Sequence, residues 1–178
     1  QVMQIYNQTK SYLKNPQPVS DNLLYGEFHE NSKHTTRMPY MEAVYDVLEK
    51  NHGKVIYFDF WARWCPPCLT EMEPLKQLRS KFSTNDLIIY SICVSEPKEQ
   101  WEECLNEYSL KNCGIECVHV TDYLGIDNYQ KIRKQWKIDR IPYYILINRK
   151  GQIIDFGATA RPSNPQLVSR IEDAVNSK

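Results

Sequence analysis

The sequence has no excess of either charge. Its 22 lysines and arginines balance 22 aspartates and glutamates over 178 residues, which leaves no basic footprint for nucleic acid and no acidic tail. Long apolar runs are also missing, and none approaches the roughly 18 residues of a membrane span. No signal peptide is visible. The first residue is Gln rather than Met, so the chain is expected to be a mature or trimmed fragment, in which a removed leader or anchor leaves no trace. Cysteine is present but thinly spread. Six in 178 residues exceed ordinary usage and fall short of a disulfide scaffold, which suits an oxidising compartment or a redox enzyme. The length fits one domain plus an extension, and it buries most of its apolar surface without needing disulfides to fold.

What the sequence does contain is one dense stretch, Phe58-Asp-Phe-Trp-Ala-Arg-Trp-Cys-Pro-Pro-Cys68. An apolar run, Val55 to Phe60, leads into it with the β-branched and aromatic content of a buried strand. After Cys68, Leu69-Thr-Glu-Met-Glu-Pro-Leu-Lys-Gln-Leu78 suits a helix reaching about Phe82, kinked at Pro74. Cys65 is therefore expected at a strand-to-helix junction, near a helix N-terminus. Free backbone N–H groups and the helix dipole favour negative charge there, and the thiolate is the attacking form of cysteine. The i, i+3 spacing brings the second sulfur within bonding reach. Cys65 is expected to attack a partner disulfide, and Cys68 to resolve the mixed disulfide. Two other readings of the pair are a stable, non-catalytic disulfide and half of a zinc site, which needs a second ligand pair.

Residues 1–38 are polar and turn-rich and read as an N-terminal extension or linker, with a short helix over Gln1–Lys14 and weak strand potential at Leu23 to Tyr25. Met41, Val44, Tyr45 and Leu48 form the apolar stripe of an amphipathic helix. Strands are expected at Val55–Phe60, Asp86–Val94, Glu116–Val120, Tyr143–Ile147 and Gln152–Phe156. Helices are expected at Glu96–Leu110 and Asn128–Trp136. A closing helix over Asn164–Asn176 is capped by Asn164, with Pro165 at its first position. Strands alternating with helices, then a hairpin and a helix, make an α/β sandwich on a mixed central sheet.

The pattern Phe58-x-Phe-Trp-Ala-x-Trp-Cys-x-x-Cys68 resembles the active site of the thioredoxin superfamily. Trp64-Cys-Pro-Pro-Cys68, with Glu71 and Met72 after it, is most similar to TlpA/ResA-type thiol-disulfide oxidoreductases of bacterial envelopes. The resemblance covers about residues 40 to 178. It implies a thioredoxin fold with a central mixed β-sheet flanked by helices. A strand and helix are inserted between its βαβ and ββα halves, at about Lys98 to Gln135. Residues 39–178 are then the thioredoxin-like domain. Relatives carry a helix proline five residues past the second cysteine, whereas Pro74 is six past Cys68.

The resemblance also points to further residues. Asp59, in an otherwise apolar strand, shares a face with Tyr57 and Trp61 and matches the buried acid of thioredoxins, where TlpA/ResA relatives often have a neutral residue. Burial raises a carboxyl pKa, so Asp59 is expected to exchange a proton with Cys68. An aspartate bonded to backbone or water at a strand end is the plainer alternative. Pro142 is expected to be cis and to face the disulfide, with Ile141 offering its backbone to an extended substrate. Arg140 and Tyr143 stand where Gly and Thr are commoner and are expected to flank the substrate groove. Trp64 is expected to shield the sulfurs and Trp61 to be core. Glu71 and Glu73 read as solvated helix face, with Glu71 able to touch the site. Pro66 and Pro67 have no N–H to stabilise a Cys65 thiolate, and this favours a reductant over an oxidase.

Of the remaining cysteines, Cys93 reads as a buried small hydrophobe. Cys104, Cys113 and Cys117 are compatible with a second disulfide or with free thiols. A zinc site joining Cys113 and Cys117 to His119 is a sharper alternative lacking a fourth ligand. His29, His34 and His52 read as surface residues. The expected activity is thiol-disulfide exchange with protein thiol or disulfide substrates, using no bound cofactor and no metal, only the Cys65–Cys68 pair. An electron-donor protein is implied, which in relatives is often a membrane protein. The implied location is the bacterial envelope or periplasm, rather than the cytoplasm. The alternatives are a copper or zinc binding or delivery module, a peroxide reductase, and the C-terminal redox domain of a longer protein.

Overall fold

A computed structural model describes residues 39–95 and 97–177. The expected helix at Gln1–Lys14, the strand potential near Leu23, His29, His34 and the extension as a whole lie outside the described residues. A 3-10 turn, Pro39–Met41, leads into α1, Glu42–Lys50. Next come β1 (Val55–Trp61), α2 (Pro66–Leu69), α3 (Met72–Lys81), β2 (Leu87–Cys93) and α4 (Lys98–Glu107). They are followed by β3 (Glu116–His119), α5 (Val120–Tyr123), α6 (Ile126–Gln135), β4 (Tyr143–Ile147) and β5 (Ile153–Phe156). A second 3-10 turn, Gly157–Ala160, leads to α7, Pro165–Asn176.

The five strands form one sheet in the order β3-β2-β1-β4-β5. β1 runs parallel to β2, and β2 to β3, while β4 is antiparallel to both β1 and β5. β1 is thus the central strand, buried along its whole length. That burial explains why it reads as a continuous apolar run rather than an alternating one. Its residues divide between two cores. Val55, Tyr57 and Trp61 join Leu75, Leu78, Leu105, Leu167 and Ile171 on one face. Ile56, Phe58 and Phe60 join Val44, Leu48, Tyr129, Ile132 and Trp136 on the other. Helices α3, α4 and α7 therefore cover the first face, and α1 and α6 the second.

The run after Cys65 differs from the single kinked helix expected. It is two helices, broken at Thr70–Glu71. Pro74 is the third residue of α3, where a missing N–H removes no intrahelical bond. Its ring would clash with the carbonyl four residues earlier, that of Thr70, if one helix ran through. The break therefore falls upstream of the proline, not at it. The one-turn helix α5 and the turn Gly157–Ala160 had no periodicity long enough to read. At α7 the expected cap is present: the Asn164 side chain accepts from Gln166 N at 3.1 Å.

Candidate active site

At the C-terminal end of β1 the chain turns through Ala62–Trp64 into α2. Cys65 is the N-cap of that helix and Cys68 its third residue. Their sulfurs are joined in a disulfide, with the Cα atoms 5.2 Å apart. The Cys68 backbone N–H donates to Cys65 Sγ at 3.3 Å. Pro66 and Pro67 have no such N–H and offer the Cys65 sulfur no backbone donor. Both cysteines are buried in the disulfide state, Cys65 at 4 % exposure and Cys68 at 1 %. Beside them Trp64 is 69 % exposed, while Pro66 and Pro67 are exposed as well. The site reaches solvent through Trp64 and the prolines more than through the sulfurs.

Asp59 sits on β1 below this turn, 3 % exposed. It pairs in register with Ser91 on β2 and with Tyr144 on β4. Ser91 Oγ donates to its Oδ2 at 2.8 Å. Burial is the main influence on its pKa and raises it to about 7. The Ser91 hydrogen bond opposes this, and the negative Glu71 adds to it. An acid with that pKa changes protonation state near neutrality.

Glu71 does not lie on the solvated helix face expected for it. It is buried rather than solvated. Its carboxylate accepts from Ser163 N at 2.9 Å and from Ser163 Oγ at 2.8 Å, with Arg161 Nε at 3.6 Å. It stands at the break between α2 and α3, as the residue just before the first turn of α3. Glu73 stays on the surface, paired with Lys76 at 2.7 Å. The buried rings of Tyr57 and Tyr144 stack 5.9 Å apart. Asp59 and Glu71 both push the two phenol pKa values up, after burial, the largest cause.

The Ile141–Pro142 peptide is cis. Ile141 packs against both cores, including the one that holds Cys65 and Cys68. Arg140 projects into solvent near Asp139, 3.6 Å away. Tyr143 turns from the disulfide. It packs with the Phe58 and Phe60 core on the opposite face and donates from its hydroxyl to Trp136 O at 3.3 Å. Trp61 is fully buried in the disulfide-side core.

Cys93 and Cys104 are buried, Cys113 and Cys117 half-buried, and all four are free thiols. Cys93 lies in the core with Ser95 Oγ 3.2 Å from its sulfur. The zinc reading with His119 does not fit. Its Nε2 lies 2.7 Å from Ser95 O and its Nδ1 2.6 Å from Thr121 Oγ1, so both ring nitrogens are engaged. Among the described residues no three His, Cys, Asp or Glu side chains are grouped to hold a metal.

The sequence profile of the Redoxin family matches residues 35–175. The chain belongs to the Redoxin family. Among curated proteins, this Redoxin chain is 26% identical over 108 residues to the thiol-disulfide oxidoreductase ResA of Bacillus anthracis, covering 61% of this chain and 57% of that protein. It thus spans little more than half the length of the curated relatives it matches. A solution structure of a proposed thiol-disulfide oxidoreductase from Bacteroides vulgatus is 34% identical, with a TM-score of 0.56 over 71% of this chain and 76% of that one. A thiol:disulfide interchange protein from Bacteroides sp. superposes with a TM-score of 0.60 at 23% identity, over 73% of this chain and 78% of that one. The expected thioredoxin fold is borne out, with the β3 segment as the added edge strand.

Proposed function

We propose that this Redoxin chain is a thiol-disulfide oxidoreductase that works as a reductant. In its reduced form the Cys65 thiolate attacks a protein disulfide, one substrate sulfur leaves as a thiol, and Cys65 stays bonded to the other. Cys68 then loses its proton and attacks Cys65 Sγ. The substrate leaves fully reduced, and the Cys65–Cys68 disulfide remains. The single observation carrying this reading is the bonded Cys65–Cys68 pair at the strand-to-helix turn above a buried acid that titrates near neutrality. Asp59 is suited to take the Cys68 proton, directly or through solvent, because it is an effective acceptor only when its own pKa lies near the working pH. Trp64, Pro66 and Pro67 form the exposed rim, and the Ile141–Pro142 segment is the proposed rest for an extended substrate. Arg140, exposed beside Asp139, is proposed to border that rim. The Tyr143 side chain lies on the other face of the sheet and is left with a structural role.

The two electrons reside in the sulfur pair, so the reaction requires no bound cofactor. It does require a donor protein to reduce the disulfide again. We assign the protein to the bacterial envelope, on the resemblance to envelope oxidoreductases. Among the described residues no helix is long and apolar enough to cross a membrane.

The reductant reading is tested by a redox titration of the Cys65–Cys68 pair against glutathione or dithiothreitol buffers. Few donors reach Cys65 Sγ, so the reduced form gains little stabilisation. The expected potential lies toward the thioredoxin end of the range, about −270 mV, and one near the DsbA end, about −120 mV, would refute the direction of transfer.

A further inference from the structure

The loop between α4 and β3, together with β3 itself, holds two thiols that the exchange mechanism does not use. Cys113 lies in the turn before β3 and Cys117 on β3 itself. Both sulfurs address the same backbone oxygen. Cys113 Sγ is 2.9 Å from Leu110 O, and Cys117 Sγ is 3.8 Å from it. The two sulfurs are therefore neighbours, although neither is bonded to the other. Gly114, at φ +82°, reverses the chain between them. A side chain there would be strained, and its Cβ would meet Arg79 Cδ at 3.3 Å. A disulfide closes only between cysteines whose side chains already point together, and convergence on one carbonyl brings the two sulfurs near enough for a small movement of the loop to join them. Both residues are half-buried, so a small reagent can reach them, unlike Cys93 and Cys104 in the core.

The position on the sheet adds a second observation. Asp59 pairs with Ser91 and Ser91 with Cys117, so one transverse row of side chains runs from the buried acid to the edge-strand thiol. Burial pushes the Cys117 thiol up to about 12, with Cys113 and then Asp59 adding to the rise. Cys117 therefore keeps its proton and is the poorer first attacker.

We propose that Cys113 and Cys117 are a second redox-active pair, separate from Cys65–Cys68, which a low-molecular-weight disulfide converts to an intramolecular Cys113–Cys117 disulfide. The Cys113 thiolate attacks one sulfur of the reagent RSSR. The reagent S–S bond breaks, one RS⁻ leaves and takes a proton, and Cys113 carries the other RS group. Cys117 then gives up its proton, attacks Cys113 Sγ and expels the second RS⁻. Two protein thiols are oxidised, and one RSSR is reduced to two RSH. This rests on the loop geometry and not on the activity proposed above.

The test uses the whole chain with Cys65–Cys68 oxidised, incubated with excess oxidised glutathione. Free thiols are then alkylated under denaturing conditions and mapped by mass spectrometry. The expected result is loss of two of the four free thiols, a peptide cross-link between Cys113 and Cys117, and no retained glutathione. Cys117→Ser should hold one glutathione on Cys113, and Cys113→Ser should abolish the cross-link. The proposal is overturned if Cys113 and Cys117 both remain alkylatable. It is also overturned if Cys113 keeps glutathione in the unsubstituted chain, or if the new bond joins Cys93 or Cys104.

Discussion

Asp59 carries the sharpest consequence at the scale of one residue. Its folded pKa of about 7 stands above the ordinary 3.8, so between those values the folded state holds a proton that the unfolded state has released. The Asp59 contribution to stability is therefore full below about pH 4, is lost as pH rises through 7 and is level above that, and it amounts to no more than about 4 kcal/mol. Asp59→Asn is expected to remove that fall. Urea unfolding should give a variant more stable than wild type at pH 8 but not at pH 4, and the reverse pattern would contradict the buried acid. The same variant should resolve mixed disulfides more slowly. Glu71→Gln removes the charge that helps hold the Asp59 pKa up, so the pH at which resolution accelerates should move down, as read in a stopped-flow pH profile. An unchanged profile would separate Glu71 from the site. Asp59 was legible in the sequence because a lone carboxylate interrupts an apolar strand. Glu71 was not, for two reasons. Its partner Ser163 lies 92 residues along the chain, and Arg161, beside its carboxylate, is nearly as distant in sequence.

Among the elements, the motif helix shows most clearly what periodicity leaves out. A proline in an apolar-periodic run predicts a kink at the proline, yet the helix is interrupted earlier, at Thr70–Glu71, and Pro74 occupies the first turn of α3. A mid-helix proline costs about 3 kcal/mol, whereas a first-turn proline loses nothing, because that N–H has no intrahelical acceptor. Pro74→Ala should therefore change unfolding free energy by less than about 1 kcal/mol, with a small loss from the freer unfolded chain. A gain near 3 kcal/mol in chemical denaturation would show a strained, continuous helix instead. Other elements were legible almost to the residue. The central strand declared itself by its apolar run, and α7 by Asn164 and Pro165. Tyr143 shows the complementary failure. Its position beside Pro142 could be read, but the pleat sends its ring to the Phe60 face, with which it pairs in register. One residue of alternation decides which side of the sheet a neighbour serves.

For the molecule as a whole, the sheet order follows from strands joined by helical crossovers on one half and a hairpin on the other. It sets β1 between two cores and delivers the Cys65–Cys68 turn to the end of that strand. The alternation of strands and helices foretold the class of fold, and the motif foretold the turn that holds the Cys65–Cys68 disulfide. The way Asp59, Glu71, Tyr57 and Tyr144 come together from β1, the α2–α3 break and β4 could not be read, because it is tertiary. The proposed activity is an ordered two-step exchange in which Cys65 attacks and Cys68 releases. The most direct measurement is covalent trapping of a disulfide-bonded substrate protein by reduced single-cysteine variants, resolved by non-reducing electrophoresis. Cys68→Ser should accumulate a mixed disulfide through Cys65 that persists until dithiothreitol is added, and Cys65→Ser should accumulate none. A stable adduct with Cys65→Ser, or none with Cys68→Ser, would contradict the account.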